Sequence, residues 1–176
     1  MRYPRVSPED VAYLKEMIGE GHVSSGESNL ELHSKDESYH DPCRPDVVVW
    51  PQKAEDVVIA VKLADERGYA VTPWCAGTSL EGNPIPIHGG IVLDFNEMNR
   101  ILEIREKDLQ VDVEAGVQYK ELNNRLRHYG LFFAPDPGAG ACIGGMIGNN
   151  ASGIRTVAYG ATRDCILAME VVMADG

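Results

Sequence analysis

The sequence predicts an α+β fold: a small βαβ-containing subdomain followed by the start of a mixed-sheet α/β subdomain. Three observations predict it. Short apolar runs closed by proline or glycine alternate with segments of helical period. The first strand, helix and strand follow one another through short links, which favours parallel pairing. The 18 glycines are uneven, gathering at 77–90 and 138–153, where the chain leaves strands.

Each element has a local cause. Ser7-Pro8-Glu9-Asp10 supplies an N-cap, a proline at the first helical position and acids in the first turn. Val11, Leu14 and Ile18 then give a helical stripe that Gly19 or Gly21 ends. Residues 21–45 show little periodicity and read as a loop-rich arm that packs on something else. Asp46 to Trp50 is a short buried strand closed by Pro51. Glu55 to Arg67 repeats apolar residues at helix spacing, with Gly68 as its C′ residue. Tyr69 to Thr72 reads as a second strand stopped by Pro73, Ile91 to Asp94 as a third and Ile101 to Ile104 as a fourth. Leu109 to Val113 alternates with period 2 and is a half-buried strand. Gln118 to Tyr129 is an amphipathic helix ended by Gly130. Ile143 to Asn150 is a short helix or turn, and Leu167 to Met173 is a final apolar strand. Asp175-Gly176 is a hairpin signal with no strand after it. This predicts an incomplete fold, against the alternative of a natural, frayed C-terminus. The chain thus divides into an N-terminal helix and arm (1–45), a first subdomain (46–105) and a second, incomplete one (106–176).

Composition narrows the function classes. A net charge of −11 argues against nucleic acid and against anionic membrane surfaces, both of which need clustered Lys and Arg. No apolar run approaches bilayer length, so no transmembrane segment is expected. Met1 to Asp10 lacks the apolar core of a secretory signal. Cys43, Cys75, Cys142 and Cys165 lie far apart, so neither a zinc site nor a redox dithiol is expected. Separate thiols suit a cytoplasmic protein, with peripheral membrane association left open.

Two loops could carry chemistry. The first contains Pro73, Trp74, Cys75, Ala76, Gly77, Thr78 and Ser79, and closes at Gly82. Its small residues let backbone approach a ligand, and successive N–H groups in such a turn form a concave anion site. Diphosphate suits that arrangement. The loop lacks the lysine of a Walker motif and the spacing of a Rossmann fingerprint. The second loop runs through Pro135, Asp136, Pro137, Gly138, Ala141 and Cys142 to Gly144 and Gly145. Those two glycines open a short helix whose free N–H groups could face an anion. Asn149, Asn150, Ala151, Ser152 and Gly153 follow, with amide and hydroxyl donors for ribose, phosphate or a polar ring edge. The competing reading of each loop is structural: an ordinary tight turn for the first and a close crossing of two backbones for the second.

These residues carry a resemblance. Pro73 to Gly82 is similar to the pyrophosphate loop of the FAD-binding domain typified by p-cresol methylhydroxylase and vanillyl-alcohol oxidase. Asp94 to Ile101 and Val113 to Val117 resemble the segments that follow it. Pro135 to Gly138, Ile143 to Gly145, Asn150 to Gly153 and Tyr159 to Thr162 resemble the second FAD loop. The similarity spans roughly residues 36–176 in order. It is nearest the D-lactate dehydrogenase and glycolate oxidase FAD-subunit branch, and covers the N-terminal part of that domain.

The resemblance implies non-covalent FAD and oxidation of a 2-hydroxy acid, with electrons passed to an acceptor other than NAD. It implies that residues 73–79 wrap the diphosphate, that residues 136–142 line the cofactor's second side, and that residues 149–152 contact the isoalloxazine or ribityl end. Cys75 stands where the family loop usually has glycine, and Cys142 where Ser or Thr is common. The loop holds no histidine for a covalent flavin link, and His88 reads as a surface or loop residue. No catalytic residue is assigned, because the substrate site belongs to a C-terminal region that the resemblance does not reach. Two alternatives stand: a non-catalytic assembly subunit that retains the fold, and a flavin reductase acting on a nucleotide-sugar precursor. A homo-oligomer or a partner subunit is compatible with either.

Overall fold

The computed structural model describes residues 3–176 and divides into two compact units. The first comprises residues up to Glu97 together with Val171–Gly176, and the second is Met98–Glu170. The hairpin of residues 101–105 and 110–113 lies wholly within the second unit.

The first unit begins with α1 (Pro8–Ile18), capped as its sequence predicts: the Ser7 side chain accepts from the Asp10 N–H at 3.1 Å. Leu14 is fully buried on its inner face, worth about 1.5–3 kcal/mol of stabilisation. The buried Asp10 carboxylate accepts from the Tyr69 hydroxyl at 2.5 Å. That hydrogen bond holds its pKa below the ordinary value against the opposing effect of burial. The arm is more ordered than its sequence suggests. It contains β1 (Val23–Ser24), antiparallel to β2 (Val47–Val49), and the short helix α2 (Glu27–Leu32).

After β2 come α3 (Ala54–Arg67), β3 (Val71–Trp74) and β4 (Ile91–Asp94). The sheet order is β1-β2-β4-β3. The strand–helix–strand series is therefore parallel, as predicted, but its two strands do not touch. The chain returns to place β4 between β2 and β3, parallel to both. Both faces of β2 and β4 are covered, which explains their continuous apolar runs in place of alternation. Pro73 does not stop β3 but sits within it opposite Leu93. β3 is an edge strand, so the missing N–H leaves no partner short of a bond.

The second unit opens with β5 (Ile101–Arg105) and β6 (Gln110–Val113), an antiparallel hairpin. Leu109, expected in the strand, instead turns the chain with φ 55° and is exposed. Next come α4 (Tyr119–Leu126), α5 (Ile143–Gly148) and the single turn α6 (Thr156–Tyr159). The predicted helix to Tyr129 tightens into a 3₁₀ turn after Leu126. Val117, Tyr119, Leu122, Leu126, Ile143 and Met146 form the core, and apolar residues of β5 and β6 pack on it.

Leu167–Met173 is not a strand. Leu167, Met169, Val171 and Met173 are exposed, and no strand pairs with the segment among the described residues. An apolar run becomes a strand only when an edge is offered to it. Among the described residues no helix is long and apolar enough to cross a membrane.

Candidate functional site

The first loop leaves β3 at its C-terminal end, the side of a parallel sheet where ligands bind. Both of its ends are pinned. At the start, the Asn96 side-chain amide donates to the Cys75 carbonyl at 2.9 Å, and the Cys75 thiol lies 3.5 Å from Asn96 Oδ1. The Cys75 side chain is thus turned toward Asn96. Asn96 is itself fixed, its N–H bonded to Asp94 Oδ1 at 2.9 Å. At the far end the Gly82 N–H donates to Asp36 Oδ2 at 2.8 Å, and the Glu37 N–H donates to the Ser79 carbonyl at 3.1 Å.

Between those pins the backbone is open. The N–H groups of residues 76 to 80 have no acceptor among the described residues, and neither does the Thr78 hydroxyl. Such a run of donors in a turn suits an anion. Gly77 is required there. Its φ is +64°, and a Cβ on it would lie 2.6 Å from the Trp74 ring. The Trp74 indole N–H is buried without a partner among the described residues.

Beneath the loop lies a buried polar cluster that sequence reasoning missed. His33 is fully buried, with Nδ1 2.7 Å from the Asn29 carbonyl and Nε2 2.9 Å from Asp94 Oδ2. The Trp50 indole N–H donates to the same carboxylate oxygen at 2.8 Å. The Trp74 ring packs on His33 with centroids 4.5 Å apart. Asp36 receives N–H groups from Ser38 and Gly82 and a hydrogen bond from the Ser79 side chain. Burial alone would raise its pKa, but these bonds together hold it below the ordinary value.

The second loop uses its groups differently. The expected free N–H of Gly144 is taken: it donates to the Ala115 carbonyl at 2.8 Å, as Ile143 does to Val117 at 2.9 Å. A Cβ on Gly144 would lie 2.9 Å from the Ala115 Cβ, so this glycine serves close packing. Pro135 and Cys142 are buried. The Asp136 carboxylate faces Arg155, with Oδ2 3.6 Å from Nε. Asn150 has φ 48°, and its side-chain oxygen accepts from the Arg163 N–H at 3.0 Å. Gly138, Gly145, Asn149 and Ser152 are exposed, whereas Pro137, Ala141, Ala151 and Gly153 are half-buried. A shallow hollow of about 460 Å³ is lined by Asn123, Phe132, Arg155 and Tyr159. Its polar groups are already engaged, Asn123 with the Phe133 backbone and Arg155 with Asp136.

The chemistry of the first loop fits a cofactor diphosphate: small residues, open N–H donors and a glycine cradle that a side chain would fill. Comparison with known proteins agrees. A family model described as "FAD binding domain" matches residues 45–176. A protein named D-lactate dehydrogenase (cytochrome), mitochondrial, from Arabidopsis thaliana is 36% identical over 176 residues, 99% of this chain and 31% of that protein. A glycolate oxidase subunit from Bacillus subtilis is 37% identical over 134 residues, 75% of this chain and 28% of the subunit. The chain therefore spans about a third of the length of these relatives. The crystal structure of p-cresol methylhydroxylase with substrate bound superposes with a TM-score of 0.70 at 22% identity, over 81% of this chain and 29% of that one. It shows the fold alone.

Proposed function

The chain belongs to the FAD binding domain family, and from that premise we propose that it is the FAD-binding portion of a flavin-dependent oxidoreductase acting on a 2-hydroxy acid. The substrate is of the D-lactate or glycolate type, and the electrons leave to an acceptor other than NAD. The similarity to proteins named D-lactate dehydrogenase and glycolate oxidase supports the substrate class.

The observation that carries the reading is the open run of N–H groups at 76–80. Pro73 to Ser79 and Gly82 hold the diphosphate, with the Thr78 hydroxyl as a further donor. In the second unit, the exposed and half-buried residues among 135–153 contact the rest of the cofactor. Bound FAD would accept the two electrons from the substrate carbon, while the protein binds and orients it. The free thiols of Cys43 and Cys165 support a reducing, cytosol-like compartment.

Titration with FAD, followed by quenching of flavin fluorescence, tests the cofactor. Saturable binding with a yellow protein is expected; tight ATP binding with no response to FAD would overturn the reading. The substrate class is tested on the protein at its relatives' length, by dye reduction with D-lactate and glycolate. No reduction with any 2-hydroxy acid would leave a non-catalytic assembly role as the better account.

A further inference from the structure

We infer that Asp36, in the N-terminal arm, is a positioning residue that shapes the diphosphate loop before the cofactor arrives. The inference rests on the FAD reading above. The arm lies outside the residues matched by the family, which begin at 45. Its segment 33–37 nevertheless supports the loop at both ends.

Near Cys75 the chain of contacts runs from His33 to Asp94, from Asp94 to the Asn96 N–H, and from the Asn96 amide to the Cys75 carbonyl. At the other end Asp36 accepts from the Gly82 N–H and the Ser79 hydroxyl, while Glu37 donates to the Ser79 carbonyl. These anchors lie on either side of the open N–H groups at 76–80. A run of parallel N–H dipoles with nothing between them repels itself, so a fixed frame is needed to hold it ready for an anion. Fixing it in advance removes the ordering cost from the binding step.

The two oxygens of Asp36 separate the local role from the distant one. Oδ1 accepts from the Ser38 N–H two residues on, an Asx-turn that asparagine forms equally well. Oδ2 accepts from Gly82, and an amide nitrogen in its place cannot accept. Asp36→Asn therefore keeps the arm's own turn and removes the long-range contact. Glu31→Gln serves as control, because Glu31 is an exposed arm carboxylate paired with Arg44 rather than with the loop.

Two readouts on the full chain decide the matter. The first is maleimide labelling of Cys75 without FAD, resolved by peptide mass and referred to Cys165 in the other unit. The second compares affinity for FAD with affinity for riboflavin, which lacks the diphosphate. Asp36→Asn should label Cys75 roughly tenfold faster and weaken FAD roughly ten- to a hundredfold, as expected for loss of hydrogen bonds to a charged group. Riboflavin affinity should stay within about twofold, and Glu31→Gln should match the parent in every readout. Unchanged Cys75 labelling would overturn the inference, as would equal weakening of FAD and riboflavin. If the parent chain binds no FAD, the cofactor reading falls, while the labelling result still decides whether Asp36 holds the loop. Should Asp36→Asn not fold, Ser79→Ala removes the hydroxyl donor to Asp36 together with the acceptor of the Glu81 N–H, and the same faster labelling is expected at a smaller factor.

Discussion

In the Pro73–Gly82 loop the N–H groups of residues 76 to 80 meet no acceptor among the described residues, and the bonds that hold the loop fall at its ends. Around α5 the pattern is reversed. Ile143, Gly144, Met146, Asn149, Asn150 and Ala151 all donate to backbone carbonyls of their own unit. Both segments are rich in glycine, yet Gly77 lets the chain turn back beneath Trp74, while Gly144 lets α5 sit against Ala115. Glycine content alone does not mark a binding loop; what decides is whether the backbone donors around it are already used.

That contrast can be broken by substitution. Gly77→Val puts a β-branched residue at φ +64° and a Cβ against the Trp74 ring. It should weaken FAD binding about tenfold to a hundredfold by calorimetry, because such strain costs about 1–3 kcal/mol. Gly144→Ala should act on stability, lowering it by about 1–3 kcal/mol in urea unfolding through overpacking against Ala115. Gly145→Ala sharpens the comparison, since a Cβ there meets nothing within 4 Å. Replacing an unstrained helical glycine should stabilise α5 by about 0.5–1 kcal/mol. A loss of stability at Gly145 as large as that at Gly144 would remove the distinction between the two.

A smaller effect concerns pH. The Asp36 carboxyl is held below its ordinary value of 3.8, burial opposing and the Ser38, Gly82 and Ser79 hydrogen bonds prevailing. A depressed carboxylate contributes fully above its unfolded value, and that contribution is lost as pH falls through the lower folded value. Both tryptophans, Trp50 and Trp74, lie in the first unit beside His33. Followed by their fluorescence in urea at stepped pH, the Asp36 contribution to stability should be present above 3.8 and be lost below it. In Asp36→Asn that acid step should shrink.

Much of the fold was legible in local pattern. Ser7-Pro8 and Gly68 mark helix ends, and the apolar runs at 47–49 and 91–94 mark buried strands, because caps and burial act within a few residues. Pairing was not legible. Nothing near residue 71 says that β4, twenty residues on, will lie between β3 and β2. Leu167–Met173 has strand composition but finds no edge among the described residues, so composition misleads there.

The candidate site divides in the same way. The diphosphate loop is contiguous and shows in sequence. Its supports do not, because His33 meets Asp94 and Asp36 meets Gly82 across long stretches of chain. Residues 21–45 read only as a loop-rich arm, which names neither the turn at Asp36 nor the partner of its second oxygen.

The central claim is that residues 76 to 80 keep their N–H groups open for a cofactor diphosphate. Amide chemical shifts of the ¹⁵N-labelled chain, recorded as FAD is added, test it most directly. The account predicts saturable downfield shifts at 76–80, reproduced by ADP and absent with riboflavin. Binding of FAD that leaves those five amides unmoved would contradict it.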